Sequence, residues 1–323
     1  MTPTNIYNFN NAVAPLNTGP MSVFYELGTI YKVIFIPKGK MFTNTEMLTP
    51  FATLDALCKN NNPALRAYPI GDFIEFSDKS VAEVTATTGY GYMQYITDGK
   101  PVWEFIWDQG GMSFEKVMKS FQGLQNSYDL LVIDRDANVI LGTDPATATY
   151  ALKGFSLEMI YSTLVKANDG KAKTRHSTVI ALKDAKELVE RHVAIQLDPT
   201  QYPVYNLQGL YNFELSLVPS GFTTTTAKIK ITTSDKHVDL YDLYAAALVT
   251  ATSSIWSAVT DSTGATLPIS SIAANAATKS MLFTFNTSTS AGATVTLTAP
   301  TVSALTAAGL TGFAGSSLQI TAV

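Results

Sequence analysis

Residues 102–107, VWEFIW, alternate strictly, so Trp103, Phe105 and Trp107 share one face of an extended strand and Val102, Glu104 and Ile106 the other. A face made only of large aromatic rings has to be buried, either inside this fold or against a neighbour. The flanking residues supply local partners. Val81, Val84 and the threonine-rich run 85–88 suit a strand, because β-branched side chains pack well on a pleated surface. Gly89 and Gly91 interrupt that strand around Tyr90 and Tyr92, and Asp98-Gly99 is a turn pair tolerant of positive φ. Downstream, Ser113 is positioned to cap a helix with Glu115 in its first turn. Phe114, Val117, Met118 and Phe121 form its apolar stripe, and Gly123 suits the position after its end. A hairpin follows, with strands at 130–133 and 139–141 joined by a turn over 134–138. Strand, helix and hairpin agree with one another over 81–144.

The rest of the chain extends this pattern. At 323 residues, two domains are expected, and 46% hydrophobic residues suffice for real cores. Residues 1–20 carry Asn, Pro, Thr and Gly without periodicity. They read either as a frayed terminus or as an arm ordered by a neighbouring subunit. A strand is expected at 31–36, then a helix capped by Thr49 with Pro50 at its first position and Phe51, Leu54, Leu57 and Cys58 on its apolar face. Residues 68–76 read as a strand containing the Gly71-Asp72 turn pair, 152–166 as a strand, and Asn168-Asp169-Gly170 as a turn. A strand at 177–181, a short helix over 184–192 and a strand at 193–197 complete a sheet-rich domain over 21–198.

Composition shifts near residue 199. Residues 199–222 read as a linker that runs into a strand. Beyond 222 the chain is dominated by Thr, Ser and Ala, and from residue 245 to the end the only charged side chains are Asp261 and Lys279. Strands are expected at 228–232, 255–259, 281–285, 294–297 and 318–321, while Leu240, Leu243, Tyr244 and Ala247 favour a helix. Short strands at this spacing over 223–323 suggest an Ig-like β-sandwich. The fold class is therefore mainly β with short helices.

Candidate chemistry weighs against bland readings. Asp134, Asp136 and Asn138 resemble the start of a calcium loop, but Val139 stands where glycine and Pro145 where glutamate are needed, so a hairpin turn is the simpler reading. His176, His192 and His237 share no ligand spacing, and Gly110-Gly111 lacks the Lys and Ser/Thr of a phosphate loop. The single Cys58 reads as a core residue, with no disulfide or cysteine zinc site available. No cofactor or metal is expected. Glu83, Glu104, Asp108 and Asp134, with Trp103 and Trp107 as stacking platforms, leave a carbohydrate-active enzyme as a remote alternative. A net charge of −4 argues against general nucleic-acid binding. The N-terminus has no basic, apolar leader pattern and no run of about 20 apolar residues exists, so a protein folded in the cytosol, without its own export signal or membrane span, is expected.

One resemblance follows from these residues. The series VIFIPKG, RAYPIGDFIEF, GYGYMQYITDG, VWEFIWDQGG, MKSFQGL, DLLVIDRDANVILG and ALKGFSLEMI, spread over 33–198 and covering about half of the chain, resembles structural proteins of tailed phages, particularly those infecting Bacteroidetes. It resembles the tail-tube kind of subunit, a curved β-sandwich or barrel with one packed helix. The resemblance implies a virion protein, assembled in the host cytoplasm, that joins copies of itself in a ring, a hexamer, and meets neighbouring virion proteins. It implies phage DNA only in passage through a lumen. A capsid component, whether major capsid, decoration or head-fibre-base protein, is the alternative. Intersubunit roles are expected for Ile6, Tyr7 and Phe9 of the arm, and for Lys166, Lys171, Lys173 and Arg175 of a basic hairpin at 166–175. Trp103, Phe105 and Trp107 are expected in core or interface.

Overall fold

The computed structural model describes residues 5–8, 27–108, 111–144, 151–163, 170, 174–196, 204–233, 238–250, 256–260, 264, 266–290, 292–298, 300–315 and 317–321. The protein is mainly β. It divides into two compact units, Met1–Cys58 with Asn62–Gln208, and Lys59–Asn61 with Gly209–Val323.

The first unit is built around strand Tyr128–Asp134. Ile30–Pro37 runs antiparallel along one side of it, from Ile30 opposite Asp134 to Pro37 opposite Tyr128. On the other side it pairs with Val139–Asp144 at one end and with Phe155–Ser162 at the other. These strands are near-continuous apolar runs because both of their faces are covered. Val33, Phe35, Leu130 and Val132 enter one core with Trp103, Phe105 and Trp107. Ile34, Ile36, Leu131 and Ile133 enter another, with Leu54 and Cys58 of helix Pro50–Cys58. A bulge between Leu157 and Met159 bends Phe155–Ser162, and beyond it His176–Leu182, Val102–Trp107 and Glu75–Asp78 follow in order. Among the described residues the resulting sheet has 12 strands.

The aromatic face of Val102–Trp107 is core. Trp103, Phe105 and Trp107 are all buried. The Phe73 ring lies 5.0 Å from that of Phe105, Phe114 lies 5.3 Å from Trp107, and the Trp107 indole N–H donates to the Gly71 carbonyl at 2.8 Å. The last contact satisfies the one polar atom of that ring, as burial requires.

Several boundaries differ from the sequence reading, each for a tertiary reason. The 68–76 stretch is two strands, Tyr68–Ile70 and Glu75–Asp78. Asp72, at φ 58°, turns the chain so that the first pairs with Ile30–Pro37 and the second with Val102–Trp107. The 152–166 stretch breaks at Gly154 into Ala151–Lys153 and Phe155–Ser162. A Cβ at Gly154 would stand 2.8 Å from Asp129 Cβ and 2.9 Å from Ile36 Cδ1, so only glycine lets the chain change partners there. Ser113 is not a cap: helix Gly111–Ser120 starts two residues before it. Packing of Phe114 on Trp107 and of Glu115 on His176 sets the helix phase, which leaves Val117 exposed while Met118 and Phe121 are buried. The 184–192 helix stops at Val189, and His192 instead begins strand His192–Gln196, which pairs with Val139–Asp144.

The second unit is two sheets around one core. Ile269–Asn275, Ser280–Phe285, Thr226–Thr233, Tyr211–Phe222 and Phe313–Gly315 form the first, the last pair being parallel. Thr266–Leu267, Ser257–Thr260, Thr294–Thr298 and Leu318–Thr321 form the second. In Thr226–Thr233 the residues alternate cleanly, Ile229 and Ile231 inward and Lys228 and Lys230 outward. Helix Leu240–Thr250 is non-helical at Tyr244. Leu240 and Leu248 are buried, and Leu243, placed by the sequence on the apolar face, is exposed.

Candidate functional site

Among the described residues, a dense group of exposed large apolar side chains lies immediately before the buried aromatic strand. Strands Val84–Thr87 and Met93–Thr97 form a two-stranded sheet of their own, joined by a turn in which Gly91 takes φ 80° and its N–H donates to the Thr88 carbonyl at 2.8 Å. Every residue from 81 to 98 is exposed. Tyr90 is 93% exposed, Tyr92 and Met93 74% each, Ile96 57% and Tyr95 54%. Met93 and Tyr95 face the same way, opposite Thr87 and Thr85. An isolated two-stranded hairpin is marginal in water, and contiguous exposed apolar side chains on a soluble protein mark an interaction surface.

The hairpin is anchored at its foot. Val81 and Lys100 exchange both backbone hydrogen bonds, at 2.9 and 3.0 Å. Gly99 permits this approach, because a Cβ there would stand 2.4 Å from the Val81 carbonyl oxygen. Beside the foot lies a cleft of about 520 Å³ between the two hairpin stems, the start of the aromatic strand and helix Ala185–Val189. Trp103 and Pro101 line it together with Val81, Leu188 and Val189. Its charged lining is four carboxylates, Asp78, Glu83, Asp98 and Glu190, against two lysines, Lys100 and Lys186. Lys100 is itself paired with Glu158. The Tyr95 hydroxyl donates to Asp98. That bond, with some desolvation and the negative charges of Asp98, Glu83 and Glu190, pushes the phenol up to about 12.

Several other ionisable groups hold elements together. Glu115 and His176 are both buried, 3.3 Å apart, and join helix Gly111–Ser120 to the sheet. Lys32 is buried and donates to the carbonyls of Tyr205 and Leu207 at 2.5 and 2.8 Å. Burial lowers its pKa, opposed by Asp72 and Cys58. Asp134 closes the hairpin turn, accepting from the backbone N–H of Asp136 and Asn138 at 2.9 Å each and from the Asn138 amide at 2.7 Å. Of the remaining carboxylates considered for sugar chemistry, Glu104 lies 3.7 Å from Lys79 and Glu83 stands on the hairpin stem. Among the described residues no cluster of His, Cys, Asp or Glu has the arrangement of a metal site.

The residues singled out from sequence fall in three places. Trp103, Phe105 and Trp107 meet in the core. Ile6 and Tyr7 lie on strand Asn5–Asn8, which pairs antiparallel with the chain's own His192–Gln196. Phe9, Lys166, Lys171, Lys173 and His237 lie outside the described residues. Arg175 is exposed, 3.9 Å from Glu75. The exposed hairpin side chains and the acidic cleft were not singled out. The signal available for the hairpin was the density of tyrosines and glycines in GYGYMQY, between a polar strand and a turn pair. No protein-family model matches the chain, and no curated protein matches it.

Proposed function

We propose that the protein is a self-assembling structural subunit of a phage virion, forming rings of the tail-tube or head–tail connector kind. In this reading the first unit is a tail-tube-like β domain and the second an Ig-like sandwich. The observation that carries it is the 81–98 hairpin, which exposes Tyr90, Tyr92, Met93, Tyr95 and Ile96 while the aromatic face of the adjacent strand is buried. A soluble monomer gains nothing from such a projection, whereas a second copy can bury it and pair its open strand edges. Charge-poor strands in the second unit suit a part of the protein displayed on an assembly.

The test is assembly itself. Light scattering and negative-stain microscopy at rising concentration should show closed rings. Replacing 84–97 by a short Gly-Ser turn should leave a folded monomer, because Val81 and Lys100 already stand side by side. Only dispersed monomers, at high concentration and in virion extracts alike, would overturn the reading. A labelled antibody to the C-terminal unit that decorates heads rather than tails would move the subunit to the capsid.

A further inference from the structure

We propose that the cleft at the foot of the hairpin receives the basic 166–175 segment of a neighbouring copy, joining subunits head to tail. The inference rests on the reading of the chain as a self-assembling subunit and names the two surfaces that meet.

Three observations carry it. The first is shape and lining. The cleft combines an apolar floor, including Trp103, Pro101 and Leu188, with a rim richer in carboxylates than in cations. Such a site fits a lysine or arginine side chain, whose methylene stem packs on apolar surface while its charged head meets a carboxylate. Asp78, Glu83, Asp98 and Glu190 are all exposed, so their charge is available to a partner. The second is complementarity within the same sequence. The 166–175 segment, KANDGKAKTR, holds Lys166, Lys171, Lys173 and Arg175 against one carboxylate, Asp169. It is the densest basic stretch of an otherwise acidic chain.

The third is placement. His176–Leu182 runs antiparallel to Val102–Trp107, with His176 opposite Trp107 and Ala181 opposite Val102. The strand that follows the basic segment in sequence therefore begins at the Trp107 end, and Lys100, Pro101 and Trp103 line the cleft at the Val102 end. Asp78 opposite Trp103 marks the cleft end, and Glu75 beside Arg175 marks the other. Arg175 and the cleft are separated by the length of this strand, roughly 20 Å at about 3.3 Å per residue. A cleft at one end of a strand that receives, from another copy, the segment joined to the strand's other end makes a heterologous contact. That contact closes into a ring when the rotation between copies permits and otherwise propagates as a filament.

The test uses the full chain. A zero-length carbodiimide should join Lys171 or Lys173 to Glu83, Asp98 or Glu190 in assembled material. In a mixture of isotopically light and heavy protein the linked peptides should be mixed light–heavy pairs. Reversing the segment (K171E with K173E) should raise the concentration needed for assembly at least tenfold. So should reversing the cleft (E83K with E190K), and combining the reversed segment with the reversed cleft should restore assembly. Assembly should weaken as salt shortens the Debye length from about 10 Å at 0.1 M to about 3 Å at 1 M. Glu83 and Glu190 are exposed, so circular dichroism should show the cleft variant folded, and the same measurement is made on the segment variant. If the wild type assembles and neither reversal changes the threshold, or if the cross-links are confined to single chains, the inference is wrong and the proposed function stands. If the wild type does not assemble at all, the proposed function has failed with it.

Discussion

Two neighbouring stretches of the first unit are both rich in residues that favour strands and end in opposite environments. Val102–Trp107 and the 84–97 hairpin are both extended, both rich in aromatic or β-branched side chains, and joined by only a few residues. Trp103, Phe105 and Trp107 are 3%, 0% and 3% exposed, whereas Tyr92 and Met93 are each 74% exposed. The difference is what lies over them. The aromatic strand is an inner strand, flanked by His176–Leu182 and Glu75–Asp78, and Phe73, Phe76 and Phe114 close over its face. Among the described residues the two strands of the hairpin pair only with each other. Hydrophobic composition therefore marks where a chain wants cover, and topology decides whether that cover comes from the same molecule.

Substitutions should separate the two regions sharply. Phe105→Ala removes a fully buried ring from the middle of the aromatic cluster and should cost about 3–5 kcal/mol of unfolding free energy, read by urea denaturation. A loss below about 1 kcal/mol would mean that the cluster is not a tight core. Gly99→Ala forces a Cβ into the Val81 carbonyl and should cost about 1–3 kcal/mol. Its second signature is faster amide exchange at Val81 and Lys100, with protection at Val102–Trp107 retained. Tyr92→Ser with Met93→Ser should change monomer stability by no more than about 0.5 kcal/mol, because neither side chain is covered. The same pair should abolish ring formation, and a melting point that falls with rings intact would reverse the comparison.

The smallest effect concerns His192, on the strand that the N-terminal strand joins. Burial holds its pKa below the usual 6.5, with hydrogen bonding to Leu188 and Val189 acting in the opposite sense. The folded protein thus binds a proton less readily than the unfolded chain, so stability is unaffected above pH 6.5 and declines as pH falls from there through the folded-state value. His192→Gln should flatten that part of the stability profile. An unchanged slope below pH 6.5 would show that His192 does not contribute to it.

Elements with a strong period were legible in the sequence. Strand Leu318–Thr321 and helix Pro50–Cys58 fall where alternation and the Thr49-Pro50 start place them, and the 134–138 turn is closed by the Asp134 carboxylate. Errors fell where a tertiary contact outranked a local signal. Ser113 has the chemistry of a cap, yet the contacts of Phe114 and Glu115 fix the helix two residues earlier. The acidic cleft was illegible for a different reason. Asp78, Glu83, Asp98 and Glu190 span more than a hundred positions, and no local spacing announces that a sheet and a helix gather them.

By itself, the sequence determined the mainly β character, the aromatic face of Val102–Trp107 and the charge-poor C-terminal strands, because alternation and turn chemistry act over a few residues. Only the tertiary structure decided that this aromatic face is core, that the hairpin before it stands uncovered, and that Asn5–Asn8 pairs with the chain's own strand. Those outcomes depend on which distant segments come to lie beside which. Burial is a property of the assembled layers, and a residue's own chemistry states only the demand for it.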